Sequence, residues 1–204
     1  MSNFKSSDFF QRRNNITKFV SNGHDRKNKM YSAGILPYQV GDNGKIYFLI
    51  GKDNQGNWSD FGGKCEFQDN NNIKETASRE FFEESLNSVI DLNTTREMLR
   101  NDKNYTLITS RTIIGNPYYM FVLRVPMLPD TTRDRFKKTL LYLQHIKADY
   151  KSLEKTDVKW VSLDTIVHCL DNIEYEKILG WPLRKVFRNT LLNNKKMLDE
   201  IKID

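Results

Sequence analysis

The chain has 204 residues, with 32 Lys plus Arg against 26 Asp plus Glu, 38% hydrophobic and 12% aromatic content. That length suits one compact domain with short extensions rather than two full domains, and the apolar content excludes general disorder. The longest apolar runs, residues 46–50 and 120–123, fall far short of the ~20 residues that a membrane-spanning helix needs, so no membrane partner is expected.

In chain order, residues 1–29 read as a basic N-terminal extension, in which Arg12, Arg13, Lys18, Arg26, Lys27 and Lys29 face only Asp25 between positions 12 and 29. Its start mixes charges with Phe and has no apolar block or small-residue cleavage site, which points to a cytoplasmic protein. Strands are expected over 31–40 and 45–51, joined by the turn Gly41-Asp42-Asn43-Gly44. The run 57–61 ends in Gly62-Gly63, where a sharp loop is expected, and 73–87 has helical spacing, with Ala77, Phe81, Phe82 and Leu86 as apolar positions. Strands over 105–111 and 117–125 surround Gly115-Asn116. A helix over 131–146, a strand over 157–163 and an amphipathic C-terminal helix over 183–201 complete a mixed α and β order. The last segment carries a second basic run, Arg184, Lys185, Arg188, Lys195 and Lys196, which meets no acid until Asp199. Such runs are solvated faces or surfaces for anionic partners. Cys65 and Cys169 are too few for a disulfide framework and form no C-x-x-C pair, so both are expected as reduced thiols.

The most informative segment is Arg79-Glu80-Phe81-Phe82-Glu83-Glu84. On a helix, Glu80, Glu83 and Glu84 stand at i, i+3 and i+4, so the three carboxylates project from one face and repel one another. A divalent ion with a preference for oxygen ligands, Mg²⁺ or Mn²⁺, reverses the sign of that interaction. Three Glu alone equally describe a solvated acidic face. The upstream Gly62-Gly63-Lys64 favours a site, because paired glycines let backbone approach whatever the helix holds.

Taken together, Gly63-x5-Asp69-x9-Arg79-Glu80-Phe81-x-Glu83-Glu84 resembles the Nudix box, whose family pattern is G-x5-E-x7-R-E-U-x-E-E-x-G-U with U a bulky apolar residue. Asp69 stands where the first Glu is expected, the spacer to Arg79 is two residues longer, and Leu86-Asn87 replaces Gly-U. These departures leave open whether Asp69 or Glu75 steadies Arg79. The resemblance implies a Nudix-type α/β/α sandwich with a mixed sheet over residues 30–170, with a helical segment, 171–204, packed on it. It implies a pyrophosphohydrolase that cleaves a phosphoanhydride bond in a nucleoside diphosphate-linked substrate. Glu80, Glu83, Glu84 and the Gly63 carbonyl would bind Mg²⁺ or Mn²⁺, and Arg79 would orient Glu80 or Glu83 through a bidentate contact. Glu154 is the candidate general base, and Lys64, Trp58 and Tyr118 are candidates for substrate binding, the aromatics by stacking on a purine.

The substrate is open at this level. A capped RNA, cleaved at its 5′ cap while the basic runs 12–29 and 184–196 hold the transcript, is one reading. The length, the N-terminal extension and the Asn-rich, A/T-biased composition are similar to the mRNA-decapping Nudix proteins of large DNA viruses, which would place the protein in the host cytoplasm. A small nucleotide (a dinucleoside polyphosphate, ADP-ribose or a nucleoside triphosphate), a diphosphoinositol polyphosphate, or a non-catalytic Nudix binding module are the alternatives. Oligomeric state is equally open, although dimers are common in that family.

Overall fold

The computed structural model describes residues 30–126, 131–148 and 153–201; the basic extension expected over 1–29 lies outside the described residues. The elements are β1 (Ser32–Val40), β2 (Ile46–Asp53), β3 (Trp58–Ser59), β4 (Phe61–Lys64), α1 (Ile73–Glu84), α2 (Leu92–Arg100), β5 (Tyr105–Arg111), β6 (Pro117–Arg124), α3 (Thr132–His145), β7 (Lys155–Ser162), α4 (Leu163–Asp171), α5 (Ile173–Leu179), α6 (Lys185–Asn193) and α7 (Lys195–Asp199).

The seven strands form one mixed sheet in the order β3-β2-β1-β6-β5, with β4 on β1 and β7 on β2. Strand β6 runs parallel to β1 from Ser32 to Tyr38 and fills one of its edges. The other edge is shared: Ser32–Ile35 pair with β4, and Tyr38–Val40 pair with β2. The sheet therefore forks along β1, and the Gly62-Gly63 segment lies in one arm of the fork.

Both faces of the sheet are covered, which is why β1 is buried through its whole centre. Side-chain alternation sends Ala33, Ile35, Phe121 and Leu123 to one face, against Phe81 of α1, Leu99 of α2 and Phe136 of α3. Leu36, Tyr38, Met120 and Val122 go to the other, against Ile166 of α4 and Phe187 and Leu191 of α6. This is the expected mixed α/β sandwich. The segment after residue 170 shares that second core, because Leu198 and Ile201 join the same cluster.

Three helices were not expected from the sequence, although Leu163, Ile166, Val167 and Leu170 of α4 stand at helical spacing. Each starts at a side-chain cap: Asp91 accepts from the backbone of Asn93 and Thr94, Ser162 from Thr165, and Asn172 from Glu174 and Tyr175. The helix expected over 183–201 is broken at Asn194 into α6 and α7. Trp58, expected to stack on substrate, is instead a core residue. It is 5% exposed and packs against Trp181 with ring centroids 6.5 Å apart. Its backbone exchanges hydrogen bonds with Pro182 and Arg184, so β3 anchors the C-terminal segment. Among the described residues no helix is long and apolar enough to cross a membrane, and neither Cys65 nor Cys169 is in a disulfide.

Candidate active site

Helix α1 is fixed on β4 by its apolar face. Ala77 and Phe81 are fully buried, and the Phe81 ring meets Phe61 of β4 edge-on at 5.4 Å. That packing turns the neighbouring positions, Arg79, Glu80, Glu83 and Glu84, toward the Gly62-Gly63 strand.

Arg79 is the hub of the site. It is 8% exposed and donates through Nε and Nη2 to the two oxygens of Asp69 at 2.9 and 3.0 Å. Nη2 also reaches the Lys64 carbonyl at 2.9 Å, while Nη1 donates to Glu80 at 2.9 Å and to Glu83 at 3.2 Å. The bidentate partner is thus Asp69, not Glu80 or Glu83 as expected, because the fork of the guanidinium points back to the loop before α1. Glu75 is engaged elsewhere, with Arg96 at 2.7 Å. The long spacer is taken up by Asn70 and Asn71, whose φ values of 51° and 57° turn the chain while keeping Asp69 beside Arg79. At the far end of α1 the positions that replace Gly-U, Leu86 and Asn87, are both left-handed, each with φ 53°.

The glycine pair does not form the sharp loop expected from the sequence. Gly62 and Gly63 lie in regular β4, opposite Gly34 and Ala33 of β1, and are needed for close approach instead. A Cβ on Gly63 would sit 2.5 Å from the carboxyl carbon of Glu80. A Cβ on Gly62 would sit 2.7 Å from the Gly34 Cα and 2.8 Å from the Tyr118 hydroxyl.

Glu84 is 4% exposed; its Oε2 accepts from the Gly62 N–H at 2.7 Å and lies 3.6 Å from Lys155 Nζ. Lys155, the residue after Glu154, is itself buried and donates to Ser59 Oγ at 2.8 Å and the Asp60 carbonyl at 3.0 Å. Sequence reasoning missed it, since a Lys in a strand whose next alternate residues are Asp157 and Lys159 reads as solvent-facing.

Burial sets the electrostatics. It pushes the Glu80 carboxyl up to about 8; Arg79 pulls it down, while Glu84 and Glu83 add to the rise. Burial likewise raises Glu84 to about 7, against the attraction of Lys155 and with repulsion from Glu154. Asp69 goes the other way: burial raises it, and the hydrogen bonds from Arg79 and the Glu66 N–H more than offset that. Asp60 is held up by burial, with the Tyr118 hydroxyl opposing.

A groove of about 500 Å³ opens beside these residues. Gly63, Lys64, Glu80, Tyr118 and Glu154 line it; Arg79, Glu83 and Glu84 are not on its lining. Glu154 and Lys64 are exposed. Tyr118 is 6% exposed and gives its hydroxyl to Asp60, so it presents no open ring for stacking. Arg184 of the second basic run also lines the groove, as do Asp60 and the β5–β6 turn residues Ile113 and Ile114, which were not singled out as site residues from the sequence. Among the described residues, no three acidic, His or Cys side chains converge tightly enough to form a ready metal cluster. The donor set nevertheless fits a hard divalent cation in kind: it consists of carboxylate oxygens, two of them with raised proton affinity.

No family model matches the sequence, and no curated protein matches it. Solved structures do resemble the chain path. An Ap4A hydrolase binary complex from C. elegans aligns at 16% identity and TM-score 0.44, covering 83% of this chain and 99% of that one. RenU, a Nudix hydrolase from M. smegmatis, aligns at 13% and 0.45, covering 90% and 95%. A MutT protein from Methanosarcina mazei Go1 aligns at 15% and 0.43, covering 87% and 99%. At these scores the likeness carries no functional argument; the residues around the groove do.

Proposed function

We propose that the protein is a divalent-metal-dependent hydrolase of the Nudix type that cleaves a phosphoanhydride bond in a nucleoside diphosphate-linked substrate. One observation supports this above the rest: the Glu80 carboxylate is packed on bare Gly63 backbone at the lining of a nucleotide-sized groove, with Glu83 and Glu84 one turn further along α1.

Glu80, Glu83, Glu84 and the Gly63 carbonyl are the groups that would hold Mg²⁺ or Mn²⁺. The ion, when bound, neutralises pyrophosphate oxygens and lowers the pKa of an attacking water. Arg79 holds Glu80 and Glu83 through one nitrogen and is itself held by Asp69, which fixes both carboxylates relative to β4. Gly62 N–H and Lys155 hold Glu84. Glu154 would take the proton from water as general base; its exposure on the groove lining supports that role. Lys64, on the same lining, meets the negative charge of the phosphates. Because the Gly63 site has no room for a methyl group, Gly63→Ala should displace Glu80 and cut turnover by at least about tenfold. Steady-state kinetics beside circular dichroism checks this, and full activity in the folded variant counts against the Glu80 assignment.

Within this class, capped RNA and a small nucleotide are the competing substrates. Exposed Arg184 on the groove lining, next to exposed Lys185, favours a polyanion. The rest of the second basic run is largely occupied, though: Arg188 is bonded to Glu176 and to the Cys169 and Leu170 carbonyls, and Lys195 to Asp171. Acids of α4 and α5 thus neutralise Arg188 and Lys195, and this favours a small nucleotide. A panel of capped RNA, cap dinucleotide, dinucleoside polyphosphate, ADP-ribose and nucleoside triphosphates, assayed with Mg²⁺ at about 50 and 200 mM salt, separates them. Capped-RNA turnover that collapses with salt supports decapping; salt-insensitive turnover of a small member supports the alternative. Turnover of no member contradicts the hydrolase reading.

A further inference from the structure

Asp60 is only 5% exposed, yet it lines the groove. Its backbone carbonyl takes the hydrogen bonds from Lys155 and Ser59. Apart from its own backbone N–H, the Tyr118 hydroxyl is the donor given to its carboxylate among the described residues. A carboxylate has about four lone-pair sites, so this one has acceptor capacity to spare, and the charges of Lys155 and Arg184 oppose the burial that disfavours its ionised form. The arrangement is built, since the Tyr118 hydroxyl reaches Asp60 through a slot that any side chain on Gly34 or Gly62 would fill. Ile113 and Ile114, also on the lining, are 78% and 72% exposed in the β5–β6 turn. With half-buried Val186 they give the groove apolar surface suited to a flat ring.

We infer that Asp60 is a specificity-determining residue that accepts hydrogen bonds from the donor edge of a guanine base, so that the groove selects guanine nucleotides. This deepens the nucleotide reading above and rests on it. Guanine carries N1–H and the exocyclic amine side by side, two donors for one carboxylate. Adenine sets a lone pair beside its amine, so that one carboxylate oxygen faces another acceptor. Three residue steps of near-extended chain lead from Asp60 to Gly63, a span of about 10 Å. That is the scale of one nucleoside, so a base held at Asp60 brings its 5′ phosphates toward Glu80.

Calorimetric titration of the full chain with GMP, IMP and AMP tests this without depending on hydrolysis, because none of the three contains a phosphoanhydride bond. GMP should bind at least about tenfold tighter than AMP, with IMP, which lacks the exocyclic amine, in between. Asp60→Asn, which replaces one acceptor oxygen by a donor, should narrow the GMP to AMP ratio to about twofold. If that variant fails to fold, the IMP and GMP comparison on the unaltered protein still decides. Equal binding of all three, a preference for AMP, or an unchanged ratio in folded Asp60→Asn overturns the inference. A capped oligonucleotide that binds tighter than GMP assigns the guanine to an RNA cap, and equal binding assigns it to a free nucleotide. Loss of the hydrolase reading would show separately, as guanine preference without turnover.

Discussion

Glu80→Gln should abolish Mg²⁺-dependent turnover, by about 10²-fold or more, and at the same time stabilise the metal-free protein at alkaline pH. The two effects have opposite signs because one carboxylate serves the chemistry and burdens the fold. Glu80 is raised from 4.5 to about 8, first by burial and then by its acidic neighbours. Between those two values the folded chain holds a proton that the unfolded chain has released, so stability falls as pH rises through that window. Gln carries no charge to bury, and the variant should lose most of this slope, keeping only that of Glu84, which is raised to about 7. Thermal unfolding from pH 5 to pH 9 in chelator should show the wild-type midpoint dropping by roughly 5–10 °C, and less in the variant. Millimolar Mg²⁺ should restore the wild type, since an ion that binds only the folded state stabilises it. Unchanged turnover, or a steeper alkaline loss in the variant, would contradict the role given to Glu80.

Arg79→Ala is expected to have the largest effect on the fold itself. It takes the counter-charge from Asp69, which is 2% exposed and keeps only the Glu66 N–H and the Thr76 hydroxyl as donors among the described residues, and it removes the donor from the Lys64 carbonyl. Breaking a buried pair in this way typically costs about 3–5 kcal/mol, or roughly 10 °C of melting temperature in a chain of this size. Arg79→Lys should recover only part of the loss, because a point charge cannot serve Asp69, Lys64, Glu80 and Glu83 together. Acid behaviour gives a further check. Asp69 is lowered from 3.8, so its contribution is present above that value and is lost as pH falls through the lower folded one. That acid-side loss should vanish in the Ala variant. A melting temperature within about 2 °C of wild type would show that Arg79 is no hub.

The register of α1 was legible in the sequence, because Ala77 and Phe81 mark its buried face and so dictate where Arg79, Glu80, Glu83 and Glu84 point. The β1–β2 hairpin and the β5–β6 pair were legible for the same reason, through alternation around Gly-rich turns. The purpose of Gly62-Gly63 was not: a glycine pair marks a bend or a close approach equally well, and only the neighbour across the gap, Glu80, distinguishes them. Asp69 and Glu75 were indistinguishable as partners of Arg79, since both precede it at short range and the turn at Asn70 and Asn71 chooses between them. Trp58 and Lys155 were hidden for a different reason. Trp58 is covered by the C-terminal segment, and Lys155 is buried by satisfying Ser59 and Asp60, both arising from pairings about 100 residues or more apart. The second basic run shows the same limit, because the acids that pair with Arg188 and Lys195 lie on α4 and α5 and meet them only in the folded chain.

The central claim is that carboxylates of α1 and the backbone of β4 hold a divalent ion beside the groove. Diffraction from crystals soaked in Mn²⁺, collected at the manganese absorption edge, tests it directly. The account predicts an anomalous peak bound by Glu80, the Gly63 carbonyl and at least one of Glu83 and Glu84, at metal–oxygen distances slightly longer than the ~2.0–2.1 Å of the smaller Mg²⁺. A peak elsewhere, or none at saturating Mn²⁺ in protein that still binds nucleotide, would contradict it.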